Sequence, residues 1–499
     1  MVYEWPKNKD SYTKSALLVY GRPQNECTYT KSALLVYEPS LFCYLCSMEL
    51  SYEELLADIF NRFPSVQGSG FTPGAYKPGL EHMRAFDEAL GFPSRALKTI
   101  HVAGTNGKGS VANMLASALT SCGYRTGLFT SPHLVDFRER ARIGSEMIPK
   151  EYVYDFLTEW LPWIKEHDLS FFEITTGLAF KWFADEKVDA AVIEVGLGGR
   201  LDSTNILERP ELCIVTSIGL DHMALLGNTL PEIAAEKAGI FKPGVPVIVG
   251  EREAETAPVF EEKAYMFCPL HFADEERPKL WNRSAEILKE MDLRADVQEK
   301  NLRTVLLATD LLREAFPRLE NADAVAEGII HTARNMDFRG RWERLSAQPY
   351  VVADIGHNAH ALRHNFAQLE RRVSSGQFAS LIIVYGIMAD KDLDAILPLM
   401  PVDATYIFAA PESARSLPAG ELLRRFNEYR RSHNLPCRSF FSGSVRQAVQ
   451  MATQLASQLS EQLSRSASAP DQAPPLIYIG GSAFVVAEAL PLFKGNAQR

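Results

Sequence analysis

At 499 residues, with 46% hydrophobic and 23% charged content, the chain has the composition of a globular protein of roughly two to four domains. Its net charge of −10 opposes binding driven by nucleic-acid phosphates, and no apolar run reaches the roughly 18 residues a membrane helix needs. Seven scattered cysteines form no disulfide framework, the lone C-x-x-C of Cys43 and Cys46 lacks a second pair, and the charged N-terminus is no signal peptide, so a cytoplasmic chain is expected.

Residues 1–47 carry YTKSALLVY twice, at 12–20 and 29–37. Two copies fall short of the about three that a solenoid needs. A local duplication or an upstream start explains the identity, Met48 would serve as a natural start, and the leader is expected to be dispensable. From Tyr52 an amphipathic pattern (Leu55, Leu56, Ile59, Phe60) predicts a helix, and a second helix is expected over 80–90. An opening strand carries the apolar run of Ile100 and Val102, and strand patterns follow at 126–130, 189–195, 212–217 and 245–249, with helices at 156–164, 170–183 and 231–241 between them. This alternation predicts a parallel sheet covered on both faces. Residues 251–300 are charged and weakly periodic, and 301–316 reads as a helix. Beyond a junction at 337–341, strands at 350–354, 381–385, 405–409 and 476–479 alternate with helices, which predicts a second α/β unit. The Ser/Ala/Pro-rich stretch 464–475 reads as a flexible surface loop.

The first strand enters a loop with Gly104, Gly107 and Gly109, then a helix with Val111, Met114, Leu115, Ala118, Leu119 and Cys122 on one face. Strand, glycine loop and helix N-terminus can cradle polyphosphate, because backbone N–H groups reach the anion and Lys108 adds a full charge. The strict G-x-x-x-x-G-K-[ST] pattern is not met: its first Gly is missing and Gly109 displaces Ser110 by one place. A glycine-rich turn with an incidental lysine stays open on this loop alone. Glu194 ends an apolar strand beside a second glycine loop, 196–205, at the strand end where ligands sit in open α/β sheets. There it could hold Mg²⁺, or be a solvent-facing terminus. Asp221 and His222 follow the next strand as a second candidate pair. Lys237 is a metal-site candidate or a snorkelling lysine, and Arg341 with Asp354 a ligand pair or an exposed salt bridge.

The blocks HVAGTNGKGSV, TSPHLVDFRER, FFEITTGLAF, IEVGLGGRLDSTNI, IGLDHMALLGNTLPEIAAEKAGIFKPG, GRWE, DIGHNAHA and DKD occur in this order. Together they resemble the folylpolyglutamate synthase/dihydrofolate synthase family, the folate branch of the Mur ligases, in its bacterial bifunctional form. The resemblance runs from about Tyr52 to the C-terminus and leaves 1–47 and roughly 251–300 unmatched. In this family the departure from the strict phosphate-loop pattern is the norm.

The resemblance implies an α/β fold: a P-loop NTPase-type parallel-sheet domain over 48–335, like the Mur ligase central domain, then a smaller Rossmann-like α/β domain over 336–499. It implies that Thr105, Asn106, Gly107, Lys108, Gly109 and Ser110 bind the ATP phosphates, and that Asn301, Arg341 and Asp354 contact ATP with His357 close by. Ser131, Glu194 and His222 would hold Mg²⁺, two ions being expected, with Lys237 joining them if carbamylated; Lys108, Glu194, His222 and Lys237 are the catalytic candidates. Ser170, Phe171, Phe172, Glu173, Leu201, Asp202 and Ser203 would line the pterin site. The implied reaction is ATP-driven amide formation between L-glutamate and dihydropteroate or a reduced folate, in a monomer without nucleic-acid or membrane partners. A monofunctional folylpolyglutamate synthase is the alternative within the class. A nucleotide switch or non-catalytic binding module is the alternative outside it. A GTPase-type switch would need a base-reading N-K-x-D, and Asn8-Lys9-Asp10 lacks that spacing.

Overall fold

The computed structural model describes residues 50–466 and 473–493, apart from 71, 73, 74, 76 and 266. The duplicated leader, Cys43, Cys46 and Asn8-Lys9-Asp10 lie outside the described residues. The chain divides into two compact units, Met1–Leu55 and Leu56–Arg499, and both sheets belong to the second.

The first sheet contains β1 (Thr99–Ala103), β2 (Thr126–Phe129), β3 (Ala141–Ile143), β4 (Glu146–Met147), β5 (Ala190–Glu194), β6 (Leu212–Val215), β7 (Val247–Val249) and β8 (Leu270–Phe272). Their order is β4-β3-β2-β5-β1-β6-β7-β8, with β1 at the centre and the strands from β2 to β8 parallel. Every residue of β1 and β5 is buried, as expected for strands covered on both faces. The expected parallel sheet carries an antiparallel addition at one edge. There the charged segment after Phe137 folds into the antiparallel β3–β4 hairpin, turning at Gly144 with a φ of 59°. Short, charged edge strands resist pairing with another chain. On the opposite edge β8 comes from residues 251–300, where sequence periodicity was weak because the strand is three residues long and only its last residue is buried.

Helix α1 (Lys108–Ser121) follows β1, and its residues from Gly109 to Leu119 are all buried, not one face alone. The apolar stripe meets β1, β2 and β5, while α2 (Gln298–Leu311) and α3 (Ala322–Ile330) cover the other side. The α1–α3 approach is close: a Cβ on Gly328 would stand 2.7 Å from the Ala118 Cα. Asn113 and Ser117, the polar residues on that side, are satisfied by backbone carbonyls at Gly109 and Gly328.

The second sheet contains β9 (Glu343–Ala347), β10 (Tyr350–Asp354), β11 (Ser380–Tyr385), β12 (Ala404–Phe408), β13 (Ser439–Phe441) and β14 (Pro475–Gly480), in the order β13-β12-β11-β14-β10-β9. It is parallel except for β9, which pairs antiparallel with β10. Helices α4 (Ala359–Ser374), α5 (Ala419–Ser432), α6 (Val445–Ser466) and α7 (Ala483–Ala489) cover its two faces. The start of the expected 464–475 loop is corrected: α6 extends to Ser466, and Pro475 opens β14.

Candidate active site

The loop after β1 turns its carbonyls inward. Thr216 and Ser217, just past β6, donate their hydroxyls to the Asn106 carbonyl at 2.6 and 3.1 Å. Lys108 Nζ donates to the carbonyls of Gly104 and Thr105 at 3.0 and 3.2 Å, and Lys237 Nζ also reaches Gly104 at 2.9 Å. Among the described residues the N–H groups of Asn106 and Gly107 find no protein acceptor. A peptide whose oxygens are held from behind presents its N–H groups outward, as an anion cradle requires. Two glycines are demanded by space as well as φ. A Cβ at Gly104 (φ +146°) would lie 1.9 Å from Thr216 Oγ1, and one at Gly107 (φ +86°) 2.6 Å from Asn301 Oδ1.

This cradle opens into a cavity of about 190 Å³ lined by all six loop residues from Thr105 to Ser110, with Glu194, Asn301, Arg341, Asp354 and His357. The structure therefore gathers every expected nucleotide contact around one space. Asp354 is not in the alternative salt bridge with Arg341. Its carboxylate accepts from the N–H groups of Trp342 (2.9 Å) and Gly356 (2.8 Å) and from Asn365 Nδ2 (2.6 Å), so it shapes the turn after β10. Arg341 lies over the Phe338 ring instead. Asn301 is held by Gln298, which also reaches Ser110.

A second cavity, of about 240 Å³, is lined by Ser170, Phe171 and Phe172 at the start of a helix (Phe171–Asp185), by Leu201, Asp202 and Ser203 of the second glycine loop, and by Arg140, His222 and Lys391. Glu173 is absent from its wall. It is 2% exposed and closes a capping box, its Oε2 accepting from the Ser170 N–H and hydroxyl at 2.7 Å each. The two cavities share Ser131, Pro132, His357 and Ala483. Of the expected metal ligands, Ser131 and Glu194 are adjacent: the Ser131 N–H donates to Glu194 Oε2 at 3.2 Å. His222 stands apart on the wall of the second cavity, its Nε2 3.8 Å from Asp221 Oδ2.

Burial raises the Glu194 carboxyl above its ordinary range, opposed by Lys108, the Ser131 N–H, Arg341 and Arg140. Burial drives His222 down to about 4 against the pull of Asp221, so the imidazole is neutral with one ring nitrogen unprotonated. Lys237 does not snorkel. It is 3% exposed, and burial with the nearby Lys108 lowers it to about 7.

Among the described residues no group of three or more His, Cys, Asp or Glu side chains is placed to hold a metal. Among the described residues Glu194 makes no ion pair, and it lies beside Ser131 on the wall of the cavity that the glycine loop lines. Mg²⁺ suits such a site, because it takes one or two carboxylates and completes its shell with phosphate oxygen and water.

Sequence reasoning missed the link between the two sheets at this point. Asn358, the N-cap of α4, exchanges hydrogen bonds with the Asn106 amide (3.2 and 3.1 Å) and donates to Asp221 at 2.9 Å. Lys391 pairs with the same Asp221 at 2.8 Å. The DIGHNAHA and DKD blocks contained both residues, but no local pattern could show which partner each would find.

Phosphate loop, strand-end carboxylate and second α/β unit define a Mur-type ligase, and comparison with known proteins agrees. Residues 102–266 match the Mur ligase middle domain, and 340–460 match the Mur ligase, glutamate ligase domain. The dihydrofolate synthase/folylpolyglutamate synthase of Bacillus subtilis is 32% identical over 369 residues, covering 69% of this chain and 84% of that one. A probable bifunctional folylpolyglutamate synthase/dihydropteroate synthase of Haloferax volcanii is 33% identical over 68% of this chain, which spans only 42% of that protein's length. Mycobacterium tuberculosis folylpolyglutamate synthase complexed with ADP superposes with a TM-score of 0.74 and 27% identity, over 90% of this chain and 99% of that one. The bifunctional folylpolyglutamate synthase/dihydrofolate synthase of Yersinia pestis with AMPPNP and Mn ion gives a TM-score of 0.69 and 25% identity, over 88% and 98%. This chain belongs to the folylpolyglutamate synthase/dihydrofolate synthase family of ATP-dependent ligases.

Proposed function

We propose that this chain joins L-glutamate both to dihydropteroate and to reduced folates, using ATP through an acyl phosphate. The observation that carries the proposal is the meeting of the two cavities at Ser131, Pro132 and His357, with Glu194 on the nucleotide side. A phosphoryl donor in one cavity and an aromatic acid in the other would face each other there. The acid's carboxylate oxygen attacks the γ-phosphorus and ADP leaves. The glutamate amine then attacks the acyl carbon, the amide forms, and phosphate departs with the amine's proton.

Two anions must meet in the first step, so charge has to be neutralised. Lys108 and the outward N–H groups of the loop do this for the phosphates, and Arg341 adds a second cationic side chain on the same wall. Glu194 and Ser131 would hold a divalent cation against the phosphates, with His222 and a carbamylated Lys237 serving a second ion. The metal would supply further neutralisation of transferring charge. Lys237, lowered to about 7, is partly unprotonated at neutral pH, as addition to carbon dioxide requires. Phe171 and Phe172 would receive the flat pterin, and Asp202 its N–H groups. A monomer is proposed, with a nucleotide-binding domain over 48–335 and a ligase domain over 336–499; the two family matches fall on either side of that division.

The test is ADP release measured with dihydropteroate and with tetrahydrofolate separately, each with and without glutamate. Release that requires both acid and glutamate supports the ligase. Release with tetrahydrofolate alone as acid would make the enzyme monofunctional, and ATP hydrolysis indifferent to both would overturn the proposal in favour of a nucleotide switch. Among the described residues no helix is long and apolar enough to cross a membrane.

A further inference from the structure

In β1, the central strand of the first sheet, His101 sits between Ile100 and Val102 at 0% exposure. Its Nε2 lies 2.8 Å from Thr204 Oγ1, and Thr204, also fully buried, lies 2.5 Å through the same oxygen from Asp202 Oδ1. Asp202 is the cavity-lining carboxylate of the second glycine loop.

The proton positions follow from what each group can do. Burial raises the Asp202 carboxyl, but both its oxygens already accept backbone N–H groups, from Thr204 and Leu197, so it is the acceptor and the Thr204 hydroxyl proton points at it. The Thr204 oxygen is then the acceptor for the ring, which places the His101 proton on Nε2. Nδ1 is left as a bare lone pair, and it is indeed a buried atom without a partner. Burial holds the ring neutral, with Lys242 acting in the same direction. An isolated polar ring with an orphaned nitrogen is a poor choice for an apolar strand on packing grounds alone.

We propose that His101 is a positioning residue for substrate binding: through the Thr204 hydroxyl it fixes the Asp202 carboxyl group in the wall of the acid cavity. This rests on reading that cavity as the acid substrate's site. The rest of the carboxylate's environment is backbone. Oδ1 also accepts from the Thr204 N–H at 3.0 Å, and Oδ2 accepts from the Leu197 N–H at 2.8 Å. The imidazole is therefore the element that orients the one rotatable donor on Asp202, the Thr204 hydroxyl. The ligand chemistry that fits an oriented carboxyl acceptor in this wall is a planar heterocycle with an N–H donor on its edge, such as an aminopyrimidine ring.

The experiment compares Thr204→Val and His101→Leu, which break the relay, with Thr204→Ser and His101→Gln, which keep a hydroxyl and a donor. KM for dihydropteroate and tetrahydrofolate is expected to rise about tenfold in the first pair, with kcat and the KM for ATP within about twofold of wild type, and to return to within about threefold in the second pair. An unchanged acid KM in Thr204→Val overturns the proposal. So does a joint shift of acid KM, ATP KM and melting temperature that Thr204→Ser and His101→Gln fail to rescue. Imidazole ¹⁵N spectra of the full chain give an independent readout. The Nε2-protonated tautomer is expected in wild type, and an Nδ1-protonated ring overturns the relay whatever the acid proves to be. A wild type with no acid-dependent turnover but the Nε2 tautomer would instead overturn the functional reading and leave the relay standing.

Discussion

After β1 and after β5, neighbouring parallel strands of the first sheet, the chain enters a glycine-rich loop, residues 104–110 in one case and 196–205 in the other. The first borrows its partners from other elements: Thr216, Ser217 and Lys237 hold its carbonyls, and among the described residues its Asn106 and Gly107 N–H groups find no acceptor. The second supplies its own anion. Asp202 takes the N–H groups of Leu197 and Thr204, while Asn205 Nδ2 ties the loop to the carbonyls of Arg200 and Gly239. Glycine content therefore does not mark a phosphate site. A loop binds an external anion when its amides lack an internal acceptor, and it presents a carboxylate when they have one.

The contrast can be broken most directly at Lys108. Lys108→Ala is expected to lower turnover by at least ~10²-fold, as for the loss of one group that stabilises transferring charge. Near-normal kcat would remove the first loop from phosphoryl transfer. Glu194→Ala is expected to lose activity on a similar scale, about 10²-fold, without rescue when Mg²⁺ is raised. Full activity at ordinary Mg²⁺ would break the assignment of the strand-end carboxylate to the metal.

Asp202→Asn sharpens the comparison from the other side. Its amide nitrogen would face a backbone N–H, so a stability loss of about 1–3 kcal/mol is expected from thermal unfolding, with a raised acid KM and an unchanged KM for ATP. An ATP effect as large as the acid effect would show that the two loops are not separate in function.

A prediction read only below neutral pH concerns His101. Burial lowers it to about 3 from 6.5, so between those values the unfolded chain holds a proton that the folded chain refuses. Its contribution to stability is present above 6.5 and is lost as pH falls toward 3. Unfolding free energy plotted against pH over this window should be flatter in His101→Leu than in wild type. Parallel curves would mean that the ring is not held neutral.

Much of this site was legible because it lies at strand ends. Gly104, Lys108, Glu194, Asp354 and their neighbours each sit where a run of apolar residues stops at a polar or glycine-rich turn, a pattern carried by a handful of consecutive residues. The capping role of Glu173 was equally local, an S-x-x-E spacing from Ser170, yet the family resemblance pointed it at the substrate instead. What could not be read were partners distant in sequence. Asn106 and Asn358 are 252 positions apart, and Asp221 and Lys391 are 170 apart. The second face of α1 was likewise hidden, since Asn113 and Ser117 look solvent-facing until α2 and α3 cover them.

The amino-acid sequence by itself determined two α/β units, the glycine loop after β1, the strand-end acid and the family, because periodicity, turns and motif blocks are short-range properties of the chain. The tertiary structure alone decided that Thr216 and Ser217 turn the loop's carbonyls away, that Lys237 is buried on Gly104, and that His101 reaches Asp202 through Thr204. The reason is physical. Hydrogen-bond direction and desolvation depend on which groups the fold brings within about 3 Å, and those partners come from strands far apart in the chain.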